Sequence, residues 1–273
     1  MAALYIIATP IGNLEDISLR ALRLLRQVRL IAAEDTRTTR NLLKAYNIKA
    51  SLTSYHEHNK QTKLKYLLDC LKEGDVALVS DAGMPGLSDT GYELITAAID
   101  DGIPVVPVPG ASAVLAALVA SGLPTDQFLY LGFLPRRSEE RRRLLRSVSE
   151  EPRTLIAFET PHRLLRTLKD IVEVLGDRQL AVCRELTKLH EEIYRSSVSE
   201  AIEHFNNPRG EFTLVLRGKD ILKPEIDEHI EVELRRMHNE GYSARKAVSE
   251  LSQMSGIPRN KLYQTWLKIV KGD

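Results

Sequence analysis

Short runs that are apolar almost throughout, each closing on a loop rich in glycine, proline or acid, constrain this chain most. Residues 4–8, 30–33, 76–80 and 105–108 are such runs. A strand without polar alternation is covered on both faces, so these runs predict a parallel sheet between helical layers. The stretches between them have the apolar spacing of crossover helices, at 17–28, 38–46, 62–71 and 91–101. A further run, 111–120, is built of small residues and predicts a helix packed closely in a core.

The pattern resets around Leu123-Pro124-Thr125-Asp126. Runs at 128–133, 154–159, 180–184, 191–197 and 212–217 read as strands, with helices chiefly at 139–148 and 162–175. That fits a second α/β domain with a mixed sheet. After Lys223-Pro224 the strand signal ends, and 226–238, 243–254 and 258–270 read as helices. The expected organisation is an N-terminal α/β domain at 1–122, a second α/β domain at 123–222 that completes a cleft, and a helical appendix at 225–273. In the appendix Ala247, Val248 and Leu251 share a face, Ser255-Gly256-Ile257 turns, and Leu262, Trp266 and Ile269 share the next face. This is a helix-turn-helix pattern. From Arg235 onward it holds eight Lys/Arg against three acids, which suits either a bundle packed on the body or a nucleic-acid contact module.

With 273 residues the chain is long enough for a substantial core. Its 38 Lys+Arg nearly balance 37 Asp+Glu, so bulk charge does not draw it to polyanions and any nucleic-acid contact rests on local patches. Cys70 and Cys183 sit among apolar neighbours and read as buried thiols of a reducing cytosol. The first residues lack a basic leader and read as a strand, and no apolar run has the length of a membrane span. A cytoplasmic protein without a membrane partner is expected. GxxxxGK[ST], GxGxxG after the first strand, HExxH, GxSxG and paired CxxC are all missing. His56 and His58 read as surface residues, and no metal site is expected.

Three loops follow three strands: Thr9-Pro10-Ile11-Gly12-Asn13, then residues 80–89, which begin Ser80-Asp81-Ala82-Gly83-Met84, then Pro109-Gly110-Ala111-Ser112-Ala113. Ligands of open parallel sheets bind outside the carboxyl ends of the strands, where such loops cluster. Glycines admit close approach of backbone to a ligand and prolines stiffen the loop. A small-molecule site is expected there.

The order of these loops, with Asp16-Ile-Ser-Leu-Arg following the first, resembles the tetrapyrrole methylases. Residues 8–14, Ala32-Ala-Glu-Asp-Thr-Arg, Ser80-Asp-Ala-Gly, Phe158-Glu-Thr-Pro-His-Arg and Arg184-Glu-Leu-Thr-Lys resemble the branch of that family that modifies ribosomal RNA. Ser80-Asp81-Ala82 stands where corrin and sirohaem methylases carry Gly-Asp-Pro, which favours RNA over a tetrapyrrole substrate. The resemblance implies two α/β domains holding S-adenosylmethionine in a cleft, a homodimer, and methylation of the ribose 2′-hydroxyl of a small-subunit cytidine, in naked RNA or the assembled subunit. The alternatives are methylation of a corrin or sirohaem precursor and, outside enzymes, a DNA-binding regulator.

By the same resemblance the cofactor touches Pro10, Asp81, Gly83, Met84, Gly110, Ala111, Phe158, Arg184, Phe212 and Thr213. Transfer to a hydroxyl needs alignment and a proton acceptor or polarising cation. Glu159, His162, Glu185 and Lys188 are the candidates. Each has a structural alternative: Glu159 capping a helix, His162 opening one, Glu185 pairing with Arg184 or Lys188. Asp35, beside Glu34 and Arg37, reads equally as a helix N-cap. Residues 135–146 carry six Arg against two Glu, and Arg136, Arg137, Arg141, Arg142 and Arg143 are candidates for RNA phosphate contacts.

Overall fold

In the computed structural model, which describes residues 2–220 and 226–271, five parallel strands form the first sheet. They are β1 (Leu4–Ile7), β2 (Leu30–Ala33), β3 (Leu52–Ser54), β4 (Val76–Val79) and β5 (Val105–Val108), in the order β3-β2-β4-β1-β5. Alternate residues of the central strands feed opposite cores. Ile7, Ile31, Ala33, Ala77 and Val79 pack with α1 (Leu19–Gln27) and α2 (Thr36–Ala45). Leu4, Ile6, Leu30, Ala32 and Leu78 pack with α3 (Lys60–Glu73) and α4 (Tyr92–Asp100). Both faces are dry, which is why these runs are apolar at every step. Each fully buried Leu or Ile contributes about 1.5–3 kcal/mol. Edge strand β3 was not foreseen: it is three residues long, and Leu52 is its one aliphatic side chain.

From β1 the chain crosses toward β2, and from β4 it crosses the other way toward β5. The topological switch therefore lies between neighbours β1 and β4, and the loops after them open a crevice at their carboxyl ends.

The second sheet has the order β6-β7-β10-β8-β9 and is mixed, with β6 (Phe128–Phe133) parallel to β7 (Thr154–Glu159). The remaining neighbours, β8 (Gln179–Arg184), β9 (Glu192–Ser197) and β10 (Phe212–Leu216), pair antiparallel. One face is covered by α6 (Ser138–Ser147), α7 (Leu164–Leu175) and α8 (Val198–His204). Helix α8 escaped the sequence reading, although Ser197 and Glu200 form a reciprocal capping box at its start. The other face is covered by α5 (Ala113–Ser121), whose Val114, Ala117 and Leu118 meet Ile156, Ala181 and Val215. Both sheets belong to one compact unit, Met1–Lys219.

The second unit, Asp220–Asp273, contains α9 (Glu228–Asn239), α10 (Ala244–Ser255) and α11 (Arg259–Lys271). They close on Leu234, Ala247, Leu251, Leu262 and Trp266. Gly256, at φ 70°, ends α10 in the left-handed conformation that favours glycine. The Lys223-Pro224 break and the expected boundaries at 222 and 225 lie outside the described residues. No described helix is long and apolar enough to cross a membrane.

The structure corrects one expectation about the arginine-rich segment. Arg141 is 3% exposed, and its guanidinium holds Asp170 of α7 through Nε at 2.7 Å and through Nη2. Arg142 joins the same carboxylate at 2.7 Å and reaches Glu173. Arg141 therefore staples α6 to α7 and has no surface to offer RNA. Removing one partner of a buried pair strands the other charge, so Asp170→Ala is expected to destabilise the protein by about 3–5 kcal/mol in urea unfolding. The double variant Arg141→Met/Asp170→Leu is expected to lose much less.

Candidate active site

The three loops are tied to one another at the switch point. Thr9 and Gly83 exchange backbone hydrogen bonds of 2.9 and 3.0 Å, joining the loops after β1 and β4. Gly83 holds φ +78°, a conformation that L side chains rarely adopt. At Gly110 a Cβ would lie 3.0 Å from that of Ala8, so the third loop needs glycine to pass the first. The third loop ends at Ser112, whose hydroxyl accepts from Leu115 N–H and caps α5.

Between the loops and the second sheet lies a cavity of about 380 Å³. Phe133, Phe158 and Phe212 line it with Met84, Leu87, Val114 and Leu186. The Phe158 ring meets those of Tyr130 and Phe133 edge-on, with centroids 5.3 and 5.4 Å apart. Cys183 also lines it, and burial pushes its thiol up to about 12. Five acids line the cavity and no Lys or Arg does.

Two of those acids are neutralised by neighbours. Glu159 pairs with Arg163 at 2.6 Å and accepts from Thr160 N–H at 2.7 Å and Thr167 hydroxyl at 2.6 Å. Glu211 pairs with Lys188 at 2.8 Å. The other three, Glu34, Asp81 and Asp89, lie together. Asp81 N–H donates to Glu34 Oε2 at 3.3 Å, and Asp35 N–H donates to Asp81 Oδ1 at 3.2 Å. Desolvation raises the carboxyls of Glu34 and Asp81 above their ordinary range. Burial, then the charge of Glu34, pushes Asp89 up to about 7. Like charges drawn together and partly buried raise one another's carboxyl pKa.

The structure brings Asp81, Gly83, Met84, Phe158, Glu159, Phe212 and Thr213 to this cavity. Gly110 and Ala111 precede its lining residues Ser112–Val114, and Pro10 lines a neighbouring cavity instead. Arg184 is engaged elsewhere, donating to Arg209 O at 2.8 Å and pairing with Glu192 at 3.1 Å. His162 is exposed and outside the lining, although Thr160 and Pro161 beside it are within. Glu185 and Lys188 pair with each other at 2.9 Å, and Glu185 also accepts from Glu211 N–H at 2.9 Å. Their loop is left-handed at Glu185 (φ 49°) and Thr187 (φ 66°), a cost of about 1–3 kcal/mol each. It presses on the first loop: a Cβ on Gly12 would sit 2.5 Å from Lys188 Cγ, and Asn13 N–H donates to Thr187 Oγ1 at 3.0 Å. Asp35 is the N-cap of α2 and is held by Arg37. Of the candidate phosphate contacts in the arginine-rich segment, Arg136, Arg137 and Arg143 are exposed, as is Arg146 beside them.

Sequence reading missed Asp89, Phe133, Glu211 and Leu186 as lining residues. For Asp89 a signal existed, since Ser88-Asp89 repeats Ser80-Asp81 within one loop. Ser88 is left-handed at φ +64°, and its hydroxyl lies 2.7 Å from that of Tyr130, which fixes the backbone beside Asp89.

A carboxyl at about 7 in the fold and ~3.9 when unfolded holds more protons folded than unfolded between those values. Its contribution to stability is full below the unfolded value and is lost as pH rises through about 7. Asp89→Asn is therefore expected to gain thermal stability on the parent as pH is raised from about 5 to about 8. An equal difference at both ends would contradict this.

Residues 3–202 match the family Tetrapyrrole (Corrin/Porphyrin) Methylases. The chain belongs to the tetrapyrrole methylase family, on the branch whose members carry the name ribosomal RNA small subunit methyltransferase I. It is 44% identical to the protein of that name from Halalkalibacterium halodurans, over 96% of this chain and 94% of that protein. It is 53% identical to the one from Thermotoga maritima, over 81% of this chain and 100% of that protein. In fold it resembles uroporphyrin-III C-methyl transferase from Thermus thermophilus complexed with S-adenyl homocysteine, at 20% identity. That likeness has a TM-score of 0.57 and covers 79% of this chain and 97% of that one.

Proposed function

We propose that the chain is an S-adenosylmethionine-dependent methyltransferase that modifies the ribose 2′-hydroxyl of a cytidine in the decoding region of small-subunit ribosomal RNA. The observation that carries this is the aromatic-walled cavity whose Glu34, Asp81 and Asp89 have no Lys or Arg among the lining residues. That donor set suits a ligand with an apolar ring system, hydroxyls and positive charge, which describes S-adenosylmethionine. A volume of about 380 Å³ is within the usual range for a small-molecule site. The names of the relatives supply the substrate class and do not favour a tetrapyrrole.

When bound, the cofactor would supply a transferable methyl carried on a cationic sulfur, and the ribose 2′-oxygen would be its acceptor. Asp81 and its neighbours would hold the ammonium or the hydroxyls. A carboxylate pressed on the sulfur would stabilise a charge that fades in the transition state. Phe133, Phe158 and Phe212 exclude water. The hydroxyl proton would pass to a carboxylate of this cluster, where Asp89 is pushed up to about 7 by burial. Glu159, Glu185 and Lys188, locked in ion pairs, and exposed His162 act as scaffold. Arg136, Arg137 and Arg143 offer phosphate contacts, and the basic helical unit a second surface for the RNA or the assembled subunit.

The enzyme works in the cytoplasm as a homodimer, with lobes divided near residue 122. Helix α5 supports the dimer: it is apolar on every side, yet Leu115 is 52% and Val119 73% exposed. An all-apolar helix is a buried helix, and a second copy would cover this face. Leu115→Lys/Val119→Glu is expected to sediment as a monomer where the parent is a dimer; an unchanged mass would exclude this face.

Purified protein incubated with radiolabelled S-adenosylmethionine and unmodified small ribosomal subunits or their naked RNA is expected to label one ribose. Cofactor binding with neither RNA labelled would refute the RNA reading.

A further inference from the structure

The cavity, with every residue that lines it, belongs to the first unit. The family match at 3–202 also falls wholly within that unit. The Thermotoga maritima relative is matched over its whole length by 81% of this chain, a share close to the first unit's own. The helical unit is therefore an addition to a body that already holds the cavity.

Charge is segregated within that addition. Helix α9 mixes both signs, and its Arg236 is held by Glu233 and Glu240. Helices α10 and α11 carry Arg245, Lys246, Arg259, Lys261, Lys268 and Lys271 against one acid, Glu250. Lys246 lies over the ring of Tyr242, and Arg259 donates to Ser249 Oγ at 3.1 Å. Among the described residues, none of the six is in an ion pair. Helix α11 holds no acid at all. Lys261, in its first turn, opposes the helix dipole, so helix stability does not explain the pattern.

The buried residues of α11 are Leu262, Trp266 and Ile269. At about 100° per residue, Lys261, Gln264, Lys268 and Lys271 form one row on the outward side. All four are exposed, and the row runs about 15 Å along the axis. Beside it Tyr263, Leu267 and Val270 recur at i, i+4 and i+7, exposed by 47%, 39% and 49%. A row of unpaired cations repels itself and is drawn to a polyanion, whereas a protein surface of mixed charge offers no such match. The tyrosine ring beside the row suits stacking on an unpaired base.

We propose that α11 is an RNA-docking face, on which Lys261, Lys268 and Lys271 contact phosphates along one strand and Tyr263 stacks on a base. This rests on the methyltransferase reading and names the partner of the helical unit as the RNA itself. Because the face and the cavity belong to different units, the face sets affinity for the substrate and not the rate of transfer.

The test uses the full chain, naked small-subunit RNA and unmodified small ribosomal subunits. RNA affinity across salt concentrations is measured beside methyl-transfer kinetics. Lys261 and Lys268 are exposed and unpaired, so Lys261→Gln/Lys268→Gln should fold as the parent does. Its affinity for naked RNA is expected to fall about tenfold near 0.1 M salt, with a salt slope lower by roughly one to two. With whichever RNA form is methylated, KM rises in step, while kcat and calorimetric cofactor affinity stay within about twofold. Tyr263→Ala is expected to weaken RNA binding about fivefold or more with its salt slope unchanged. Parent-like RNA affinity in both variants would overturn the face and leave the methyltransferase reading intact. Weakened binding to assembled subunits alone would also overturn it, since the partner would then be a ribosomal protein. A parent that binds cofactor but methylates neither form would refute the methyltransferase reading, and RNA affinity would still decide this face.

Discussion

Three carboxylates that meet on one partly buried cavity wall, with no Lys or Arg among the residues lining it, are the constraint on which the rest of this site depends. Glu34 comes from the end of β2, and Asp81 and Asp89 come from the loop after β4. Their meeting is a consequence of strand order: β2 and β4 are neighbours, and β4 adjoins β1 at the switch point. Parallel strands deliver all their exit loops to the same edge, so acids in successive loops converge there. Such an arrangement is unfavourable in isolation, and a cationic ligand relieves it.

Around this wall the fold invests in rigidity. Glu159, anchored by Arg163 and Thr167, fixes the end of β7, and Arg163 also donates to Leu134 O at 3.1 Å beyond β6. The strained loop at Glu185–Lys188 clamps the first loop through Gly12 and Asn13. These charged groups resemble catalytic candidates in sequence because both uses need acids and bases near strand ends. Glu159 lines the cavity too but is paired with Arg163, and Glu185 and Lys188 pair with each other, while Glu34, Asp81 and Asp89 meet on the cavity wall.

Much of the fold was legible because its cause is local. β2 matches the run at 30–33, since a strand buried at every residue leaves an unbroken apolar record, and edge strand β5 matches the run at 105–108 although its Pro107 is exposed. β3 left none, because an edge strand is held by backbone pairing to β2 and needs little side-chain burial. The site was legible where a loop's glycine or acid directly follows a strand, as at Asp81 and Gly83. It was illegible where partners are remote in sequence. Arg141 looks like one of six surface arginines until Asp170, from another helix, is seen beneath it. Asp89 is only the last residue of the 80–89 loop in sequence, and its place beside Glu34 shows only in the fold.

The most direct test is calorimetric titration with S-adenosylmethionine near pH 7 in two buffers of different ionisation enthalpy. A cation placed against this cluster lowers the proton affinity of its carboxyls. Net proton release on binding is therefore expected, because burial pushes the Asp89 carboxyl up to about 7, and Asp89→Asn should lose most of that release. Binding with no exchange of protons, in both parent and variant, would contradict it and place the cofactor's charge elsewhere.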